Sequence, residues 1–468
     1  MEPRRTARYL LVGILVASAL AACGKRKDGE GDDEDGGTAV DAEPCTELGC
    51  FIVDCAAKGL DPTKITGTVY APNGTLPLYG VNVYIPASDP GPLVEGAVCD
   101  RCANGLPGGS WVSTTTDEEG KFTLIDVPAT DNVPIVIQTG KWRKQFTIST
   151  VAACQEMPLT TAQTSLPKNK SEGDMPRIAI TTGNADALDC LPRKLGIDDA
   201  EITTDAGTGR VQLFNGNGAN SFAATHPTGA MPLPNATTLW SDVNKLKNYD
   251  IVFLSCEGGQ NANTKPQPSL DAMKAYADLG GRVFMTHWHN IWISGHWQGT
   301  GNGQKPAVWG GTTIANGGIA EWADRGTLGT PDIIDEAGHS KGMNFATWME
   351  KVNASPVGMR GVIPTTEGKR TASAVDTTKA ERWVYFQNGQ EQYPQIFQFT
   401  TPLEAPVQDR CGKVVFSDMH VSSGSTSNAA RPYPGVQGAG CSTNPLTPQE
   451  KALAFIFFDL ASCVGVIQ

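Results

Sequence analysis

The middle of the chain alternates short apolar runs with a helical pattern. Residues 251–254 form an apolar run that ends at a polar, glycine-rich segment. Apolar residues then recur at helical spacing over 269–279, and Gly280-Gly281 follows as a helix-ending signal. A second apolar run covers 282–285. A strand, a helix and a strand within about 40 residues match one right-handed parallel crossover.

Polar side chains capable of chemistry follow both strands of this crossover. Ser255, Cys256 and Glu257 follow the first strand, and His287 and His289 follow the second. In open parallel sheets, ligands bind just beyond the carboxyl ends of the strands. A thiol, a carboxylate and two imidazoles are therefore expected at one edge of the sheet.

The part of the chain before this sheet has the pattern of short strands separated by turns. Strand-like segments cover 65–70, 80–85, 112–116, 122–125, 133–138 and 142–148. Residues 117–120 fit a hairpin connection between two of them. About seven short antiparallel strands are typical of a small β-sandwich. We therefore predict an antiparallel β-sandwich over 61–152, followed by a linker over 153–175.

The remaining residues, 176–468, predict a doubly wound parallel sheet of flavodoxin-like size. Strand patterns and helical patterns alternate, with strands at 177–181, 211–214, 251–254, 282–285 and 413–416. A segment rich in Gly, Trp and Asn forms an insertion over about 290–340. Residues 447–450 form a capping box before a helix at 451–462 that is apolar nearly all round. The predicted fold class is thus all-β followed by α/β.

Charge and the N-terminal pattern indicate where the protein acts. The formal net charge of −12 argues against nucleic acid as a partner. Residues 1–22 have the regions of a signal peptide, and the segment that ends at Cys23 resembles a bacterial lipobox. Cys23 would carry the lipid, and the acidic, cysteine-containing segment 23–60 would tether the folded part to the membrane. We expect an outer-membrane lipoprotein, periplasmic or surface-exposed. An ordinary secretory peptide cut nearby is the alternative.

Twelve cysteines, of which Cys23 is one, shape the expected covalent structure. In an exported chain, disulfides are the default state of the other eleven. An odd number leaves at least one thiol free or paired with another molecule. Cys99-x-x-Cys102 lies in a loop rich in Gly and Pro, which favours structural bridging over redox or metal chemistry.

Three motifs in the first domain carry a family resemblance. They are Gly67-Thr68-Val69, Gly80-Val81-Asn82-Val83 and the turn Thr116-Asp117-x-x-Gly120-x-Phe122. Through them, most of 63–150 resembles the carboxypeptidase regulatory-like (transthyretin-like) domain. This resemblance implies a β-sandwich with a structural or adhesive role.

A second resemblance covers most of 176–300 and 411–463. Its motifs are Tyr249-Asp250-Ile251-Val252, then Gly280-Gly281-Arg282-Val283-Phe284 before Thr286-His287, and Gly412-Lys413-Val414-Val415-Phe416 before Asp418-x-His420. They resemble the class I glutamine amidotransferase-like superfamily, in particular trehalose-utilisation-type domains. The whole layout resembles predicted lipoproteins of myxobacteria.

The nucleophile of the amidotransferases does not match this chain. Those families carry it in Gly-x-Cys-x-Gly, whereas Cys256 lies one strand earlier and Thr286-His287 occupies the elbow. Amidotransferase chemistry is therefore not expected.

The strand order that the resemblance implies suggests two disulfides. Cys190 and Cys256 would lie at the carboxyl edge of neighbouring strands and pair. Cys411 begins the last strand and Cys463 ends the helix that runs back along it, so these two would also pair. Cys441 is then the odd thiol of this domain. The remaining cysteines would pair among themselves in an order left open, at positions 45, 50, 55, 99, 102 and 154.

Three histidines and one carboxylate form a candidate metal cluster. His287-x-His289 and Asp418-x-His420 alternate like strand residues, so each pair would point to one face. If the two strands are neighbours, the four groups meet and suit zinc or iron. A bound water would then act as a nucleophile near neutral pH. No cofactor is certain, because histidines at strand ends also serve as hydrogen-bonding or packing residues.

A ligand-binding cleft without catalysis is the leading hypothesis. The candidate cleft residues are Cys256, Glu257, Trp288, Trp292, His296 and Trp297. Because tryptophans suit sugar rings, the ligand would be a carbohydrate, and a cell-surface protein is the other candidate partner. The rival hypotheses are a metal-dependent hydrolase that uses the four-residue cluster, and a purely structural or adhesive module. Convergent ligand atoms would favour the hydrolase, and an open tryptophan-lined groove would favour binding.

Overall fold

A computed structural model describes most of the chain after residue 46. The described residues are 47–295, 308–323, 326, 329–366, 368–420, 431–436, 439–442 and 444–465. Residues Thr46–Gln468 form one compact unit that combines helices with parallel and antiparallel sheets. Within the described ranges, every helix is too short or too polar to cross a bilayer.

Twenty-one strands are present in the described residues, numbered in chain order. They are β1 Lys64–Thr68, β2 Asn82–Ile85, β3 Val112–Thr115, β4 Lys121–Ile125, β5 Asp131–Thr139, β6 Trp142–Thr150, β7 Glu156–Pro158, β8 Ile178–Thr182, β9 Ile202–Thr203, β10 Val211–Asn215, β11 Ile251–Leu254, β12 Arg282–Thr286, β13 Ala320–Trp322, β14 Asp332–Ile334, β15 Val362–Ile363, β16 Ala372–Val375, β17 Glu381–Asn388, β18 Glu391–Thr401, β19 Gly412–Ser417, β20 Gly435–Val436 and β21 Ala439–Gly440.

The α-helices of the described ranges are mostly short. They are α1 Thr161–Thr164, α2 Leu191–Lys194, α3 Thr237–Trp240, α4 Val243–Leu246, α5 Gln267–Asp278, α6 Ile291–Ser294, α7 Gly342–Lys351 and α8 Pro448–Ala461. Short 3-10 helices complete the fold, among them His287–Asn290.

The first part of the chain forms two small sheets. One has the order β4-β1-β7 and the other β3-β2-β5-β6. Their apolar side chains share one core, as Ile65, Val83 and Ile137 show. Alternation in β4 buries Phe122 and Leu124 and leaves the neighbouring positions exposed, as a half-buried strand requires.

The segment predicted as a linker is part of the folded structure. Its β7 pairs in parallel with β1. Leu166 and Met175, which lie further along it, are buried. A polar composition suggested a linker, but a few apolar residues were enough to attach the segment to the core.

The second part forms a ten-stranded mixed sheet of order β15-β14-β17-β18-β19-β12-β11-β8-β10-β9. Strands β19 to β9 of this order run parallel. Strands β18 to β15 extend the sheet as antiparallel neighbours. Hence β12 has β11 on one side and β19 on the other, and the carboxyl ends of all three lie at the same edge.

The crossover expected in the middle of the chain is present as β11, α5 and β12. Gly280 ends α5 with a φ of 107°, and a Cβ at this position would lie 2.2 Å from the Val98 carbonyl oxygen. Only glycine fits there. The capping box before α8 is also confirmed, since the Thr447 side chain accepts from the Glu450 N–H.

The predicted disulfide pairs Cys190–Cys256 and Cys411–Cys463 are wrong. The described disulfides are Cys55–Cys154, Cys99–Cys411, Cys102–Cys463 and Cys190–Cys441, and Cys256 is a free thiol.

The loop that carries Cys99 and Cys102 explains why Cys411 and Cys463 do not pair with each other. Arg282 donates hydrogen bonds to the Asp100 and Ser462 carbonyls, both at 3.3 Å, and to the Cys411 carbonyl at 2.6 Å. The loop therefore lies between the start of β19 and the end of α8. Each cysteine of the Cys-x-x-Cys motif meets a different partner, so the motif has a structural role.

Candidate functional site

Three neighbouring parallel strands bring Cys256, His287 and His420 together. Cys256 follows β11, His287 follows β12 and His420 follows β19. The Cys256 Sγ and one ring nitrogen of each histidine all lie within 4.8 Å of one another. We call these three residues the Cys-His-His cluster. It lies where ligands bind in parallel sheets, just beyond the carboxyl ends of the strands.

His287 occupies a sharp turn between β12 and the following 3-10 helix. Its φ of 46° places it in the left-handed region, which costs energy for a residue with a Cβ. Its Nδ1 lies 3.3 Å from the Cys256 Sγ, and its ring centroid lies 5.1 Å from that of His420. The Trp288 ring covers it at a centroid distance of 4.6 Å. The turn thus aims the imidazole at the other two residues of the cluster.

The imidazole of His420 is buried without a hydrogen-bond partner among the described residues. The residue is 1 % exposed, and within the described part of the chain neither ring nitrogen makes a hydrogen bond. Leaving a buried polar group unpaired costs about 1–3 kcal/mol. Such a group in a native protein calls for an explanation, of which a bound ion is one.

The backbone holds Cys256 in place. Its N–H donates to the Thr286 Oγ1 at 2.9 Å, and this hydroxyl donates to the Asp186 carboxylate at 2.7 Å. The Gly258 N–H points at the sulfur at 3.5 Å. A Cβ on Gly183 would lie 2.2 Å from the Cys256 carbonyl oxygen, so the two loops pack directly against each other. The thiol is therefore rigidly positioned.

Burial sets the protonation of the cluster. It raises the pKa of the Cys256 thiol to about 12 and lowers the pKa of His420 to about 3. Burial, followed by the nearby His420, also holds the pKa of His287 well below its usual value. The protein alone thus presents a protonated thiol and two neutral imidazoles. A buried, protonated thiol is a poor nucleophile.

His289 does not belong to the cluster. Its Nδ1 accepts from the Trp292 indole N–H at 2.9 Å, and its Nε2 lies 2.9 Å from the Ser255 carbonyl oxygen, to which it donates. Both nitrogens are engaged. The alternation argument was wrong here because β12 ends at Thr286 and His289 lies in a 3-10 helix.

Asp418 also lies outside the cluster. Its carboxylate accepts from the Thr371 N–H at 2.8 Å, from the Ala372 N–H at 2.9 Å and from the Thr371 hydroxyl at 2.5 Å. Burial raises its pKa to about 6. Asp418 therefore fixes the start of β16 instead of joining the histidines.

The candidate cleft is not an open groove in the described residues. Trp288 is 8 % exposed, and Trp292 is fully buried with its ring centroid 5.5 Å from that of Trp240. Both tryptophans pack in the interior and present no surface for a sugar ring. His296 and Trp297 lie outside the described residues.

Glu257, another candidate, is buried beside the cluster. Its Oε2 accepts from the Lys265 Nζ at 2.8 Å and from the Asn261 amide at 2.7 Å. Its Oε1 makes no hydrogen bond within the described ranges.

Sequence reasoning did not place Cys256 in the metal cluster, because it assigned this residue to the candidate cleft and to a disulfide. The signal was present, because Cys256 follows the strand next to β12 just as His420 follows the strand on the other side.

Comparisons with known proteins give only distant similarity. No protein-family profile matches the chain, and no curated protein is similar to it in sequence. Among solved structures, a ThuA-like protein from Bacteroides uniformis matches 60 % of this chain and 90 % of its own, with 10 % identity and a TM-score of 0.27.

Two other solved structures are interface mutants of a type II cohesin–X-dockerin complex from Acetivibrio cellulolyticus. One matches 29 % of this chain and 85 % of its own, with 18 % identity and a TM-score of 0.17. The other matches 27 % of this chain and 78 % of its own, with 17 % identity and a TM-score of 0.16. Similarity at this level assigns neither a family nor a function.

Proposed function

We propose that this protein binds a transition-metal ion through Cys256, His287 and His420. The observation that carries the proposal is His420, whose two buried ring nitrogens lack hydrogen-bond partners among the described residues although a thiol and a second imidazole lie within ligand distance. One thiolate and two imidazoles suit zinc, iron or copper, and do not suit magnesium or calcium. Three protein ligands leave one position open, as in catalytic zinc sites.

The surroundings of the cluster support this proposal. The four described disulfides support maturation in an oxidising compartment, where a free thiol is at risk of oxidation. Cys256 is nevertheless free. A bound metal would displace its proton, hold it as thiolate and protect it.

Metal analysis of the full, oxidised chain tests the proposal. We expect about one equivalent of zinc, iron or copper per chain, as purified or after incubation with each ion. His420→Ala and Cys256→Ser should lose it. His226→Gln is the matched control, because His226 is also buried but stacks on Phe222 away from the cluster.

Cobalt substitution adds a direct test of the ligands. Cobalt bound by the native chain should show a thiolate-to-metal charge-transfer band that Cys256→Ser abolishes and His226→Gln retains. A native chain that holds no metal under any of these conditions would refute the proposal and leave a binding or structural module.

Metal-dependent hydrolysis is the second candidate function. The open coordination position favours it, since a metal-bound water is a nucleophile near neutral pH. The Glu257 Oε1, which is buried and makes no hydrogen bond in the described part, is a candidate proton acceptor. The metal-loaded chain should hydrolyse activated esters or phosphate esters, and Glu257→Gln should lower turnover while the metal stays bound. Loss of metal in that variant would instead indicate a supporting role for Glu257.

We also propose that Cys23 carries a lipid that anchors the protein in the outer membrane. The signal-peptide pattern and the lipobox-like segment support this. These residues precede the described ranges. Cys23→Ala should move the protein from the membrane fraction to the periplasm, and an unchanged distribution would contradict the anchor.

A finer description of the fold is proposed as well. The sharing of one core by two small sheets supports a carboxypeptidase regulatory-like sandwich. The parallel run from β19 to β9 supports a flavodoxin-like, doubly wound sheet of the trehalose-utilisation type. An experimental structure with helices on only one face of these strands would contradict the second part.

A further inference from the structure

A cavity away from the metal cluster lies between the small sheets and α8. Its volume is about 480 Å³, within the range of small-molecule sites. Its walls come from the four-stranded sheet, from α7 and from α8, and none of the three cluster residues lines it. A ligand here would therefore bind independently of the metal.

One wall of the cavity carries a row of polar side chains. The strand register places Asn82 opposite Thr115 on β3 and opposite Gln138 on β5, and all three residues line the cavity. In the described part of the chain, the Asn82 amide and the Thr115 hydroxyl make no hydrogen bond. The Gln138 amide is held in place by donating to the Gly140 carbonyl at 2.8 Å. A ligand in the cavity would thus meet one amide that is held in place and two side chains that are free to form hydrogen bonds.

Another part of the cavity lining is aromatic. It consists of Tyr79, Trp348, Phe455 and Phe458. Tyr79 stacks on Phe455 with an interplanar angle of 12°, and the Trp348 indole is fixed by donating to the Pro77 carbonyl at 2.9 Å. Aromatic faces are electron-rich and attract the weakly positive C–H bonds of a ring laid against them.

Both cations that line the cavity are already paired. The Lys341 Nζ lies 2.5 Å from the Asp459 carboxylate. Arg101 donates to the Gln408 carbonyl at 2.8 Å and lies 3.4 Å from Asp409. Since no unpaired cation among the described residues lines the cavity, its chemistry favours an uncharged ligand over an anion.

We infer that this cavity binds a neutral sugar unit. The hydroxyls of a sugar both donate and accept, as amide side chains do, and its C–H face fits an aromatic wall. This site differs from the tryptophan cleft that the sequence suggested and uses none of its residues.

Titration of the full, oxidised chain with maltotriose, cellotriose and chitotriose tests the inference. We expect saturable binding of at least one trisaccharide, measured by calorimetry up to about 10 mM, with a Kd on the order of 1 mM or tighter. Asn82→Ala and Tyr79→Ala should each weaken it by about tenfold or more. Ser113→Ala is the matched control, because Ser113 lies on the same face of β3 as Thr115 but outside the cavity lining.

The outcomes separate cleanly. Binding that survives in His420→Ala and Ser113→Ala but not in Asn82→Ala supports the cavity as the site. Failure of all three trisaccharides to bind, or equal affinity in Asn82→Ala and the native chain, overturns the inference. Thermal melting of each variant shows whether a loss of binding reflects a loss of folding.

Discussion

The ten-stranded sheet has a buried histidine site in each half, and the two sites differ in how far the histidine is hydrogen-bonded. In the antiparallel half, the His339 Nδ1 accepts from the Lys341 N–H at 2.9 Å, and its Nε2 lies 3.2 Å from a Glu381 carboxylate oxygen. The ring stacks on Trp383 with a centroid distance of 3.3 Å. In the parallel half, His420 is equally buried, but within the described ranges neither of its nitrogens has a partner.

This contrast shows how a functional histidine is recognised. Residue type and burial are the same in both halves, so neither identifies a metal ligand. What differs is whether the polar atoms are satisfied by the protein itself. By this criterion His289, which is held by Ser255 and Trp292, belongs with His339 and not with its neighbour His287.

Removing His420 should have the largest effect. With metal at about 1,000 times its Kd, binding stabilises the native chain by about 4 kcal/mol. His420→Ala should lose this metal-dependent gain, measured as the difference in free energy of unfolding with and without zinc. His339→Gln should keep the full gain even though it lowers the baseline. An equal gain in His420→Ala and the native chain would contradict the assignment.

Disrupting the hydrogen bonds around His339 should lower the stability of the protein without changing its metal content. Hydrogen bonds from His339 and Gln398 hold the pKa of Glu381 below its usual value, although burial, the largest influence, acts to raise it. Glu381→Gln should therefore cost about 3 kcal/mol at neutral pH, measured by denaturant unfolding, with metal content unchanged.

The pH dependence of this site follows from the lowered pKa. The stabilisation by Glu381 is fully present above the unfolded value of about 4.3 and is lost as pH falls through the lower folded value. The difference between Glu381→Gln and the native chain should thus shrink on acidification. A gap that stays constant below pH 4 would show that Glu381 acts through packing instead of charge.

Asp418 should give an intermediate effect. In Asp418→Asn, one amide NH₂ would face the donors of Thr371 or Ala372, so we expect a loss of about 2 kcal/mol in the free energy of unfolding. Metal affinity should fall by about tenfold at most, because Asp418 only supports the loop that carries His420. If Asp418→Asn lost the metal completely but kept its stability, Asp418 would be a metal ligand after all.

Trp292→Phe should have the smallest effect. It removes the indole N–H that donates to His289 and leaves a small cavity where the five-membered ring was, so about 1.5 kcal/mol should be lost. The cobalt spectrum should not change. A shifted charge-transfer band would show that His289 acts on the metal site after all.

The sequence patterns predicted the strands and the helix that position the site better than they predicted the residues of the cluster. The crossover β11–α5–β12 followed from periodicity and from the glycines at 280 and 281, which are local signals. Periodicity also predicted that side chains after parallel strands would meet. Periodicity could not show that the residues after Thr286 form a 3-10 helix instead of alternating like a strand, and this turn separates His289 from the cluster.

Local sequence patterns could not predict the disulfide pairs for a related reason. Cys256 and Cys190 follow neighbouring strands, as expected, but Cys190 pairs with Cys441. The path of the loop at 97–103 brings Cys99 to Cys411 and Cys102 to Cys463. That path depends on tertiary contacts such as those of Arg282, which leave no periodic trace in the sequence. The linker prediction was affected in the same way, since β7 pairs with a strand 92 residues earlier, as Lys64 and Glu156 show (156 − 64).

The two crosslinks from the Cys-x-x-Cys loop set the order in which the chain can mature. Cys99 and Cys102 pair with cysteines 312 and 361 residues further along the chain. Because the chain is made from its N-terminus, they are present long before their partners and must wait as thiols, open to provisional bonds with each other or with the cysteines around them. The Cys99 bond can close once Cys411 is present, but the Cys102 bond can close only after α8 has been made, so full oxidation of this loop reports that the chain has been made past α8.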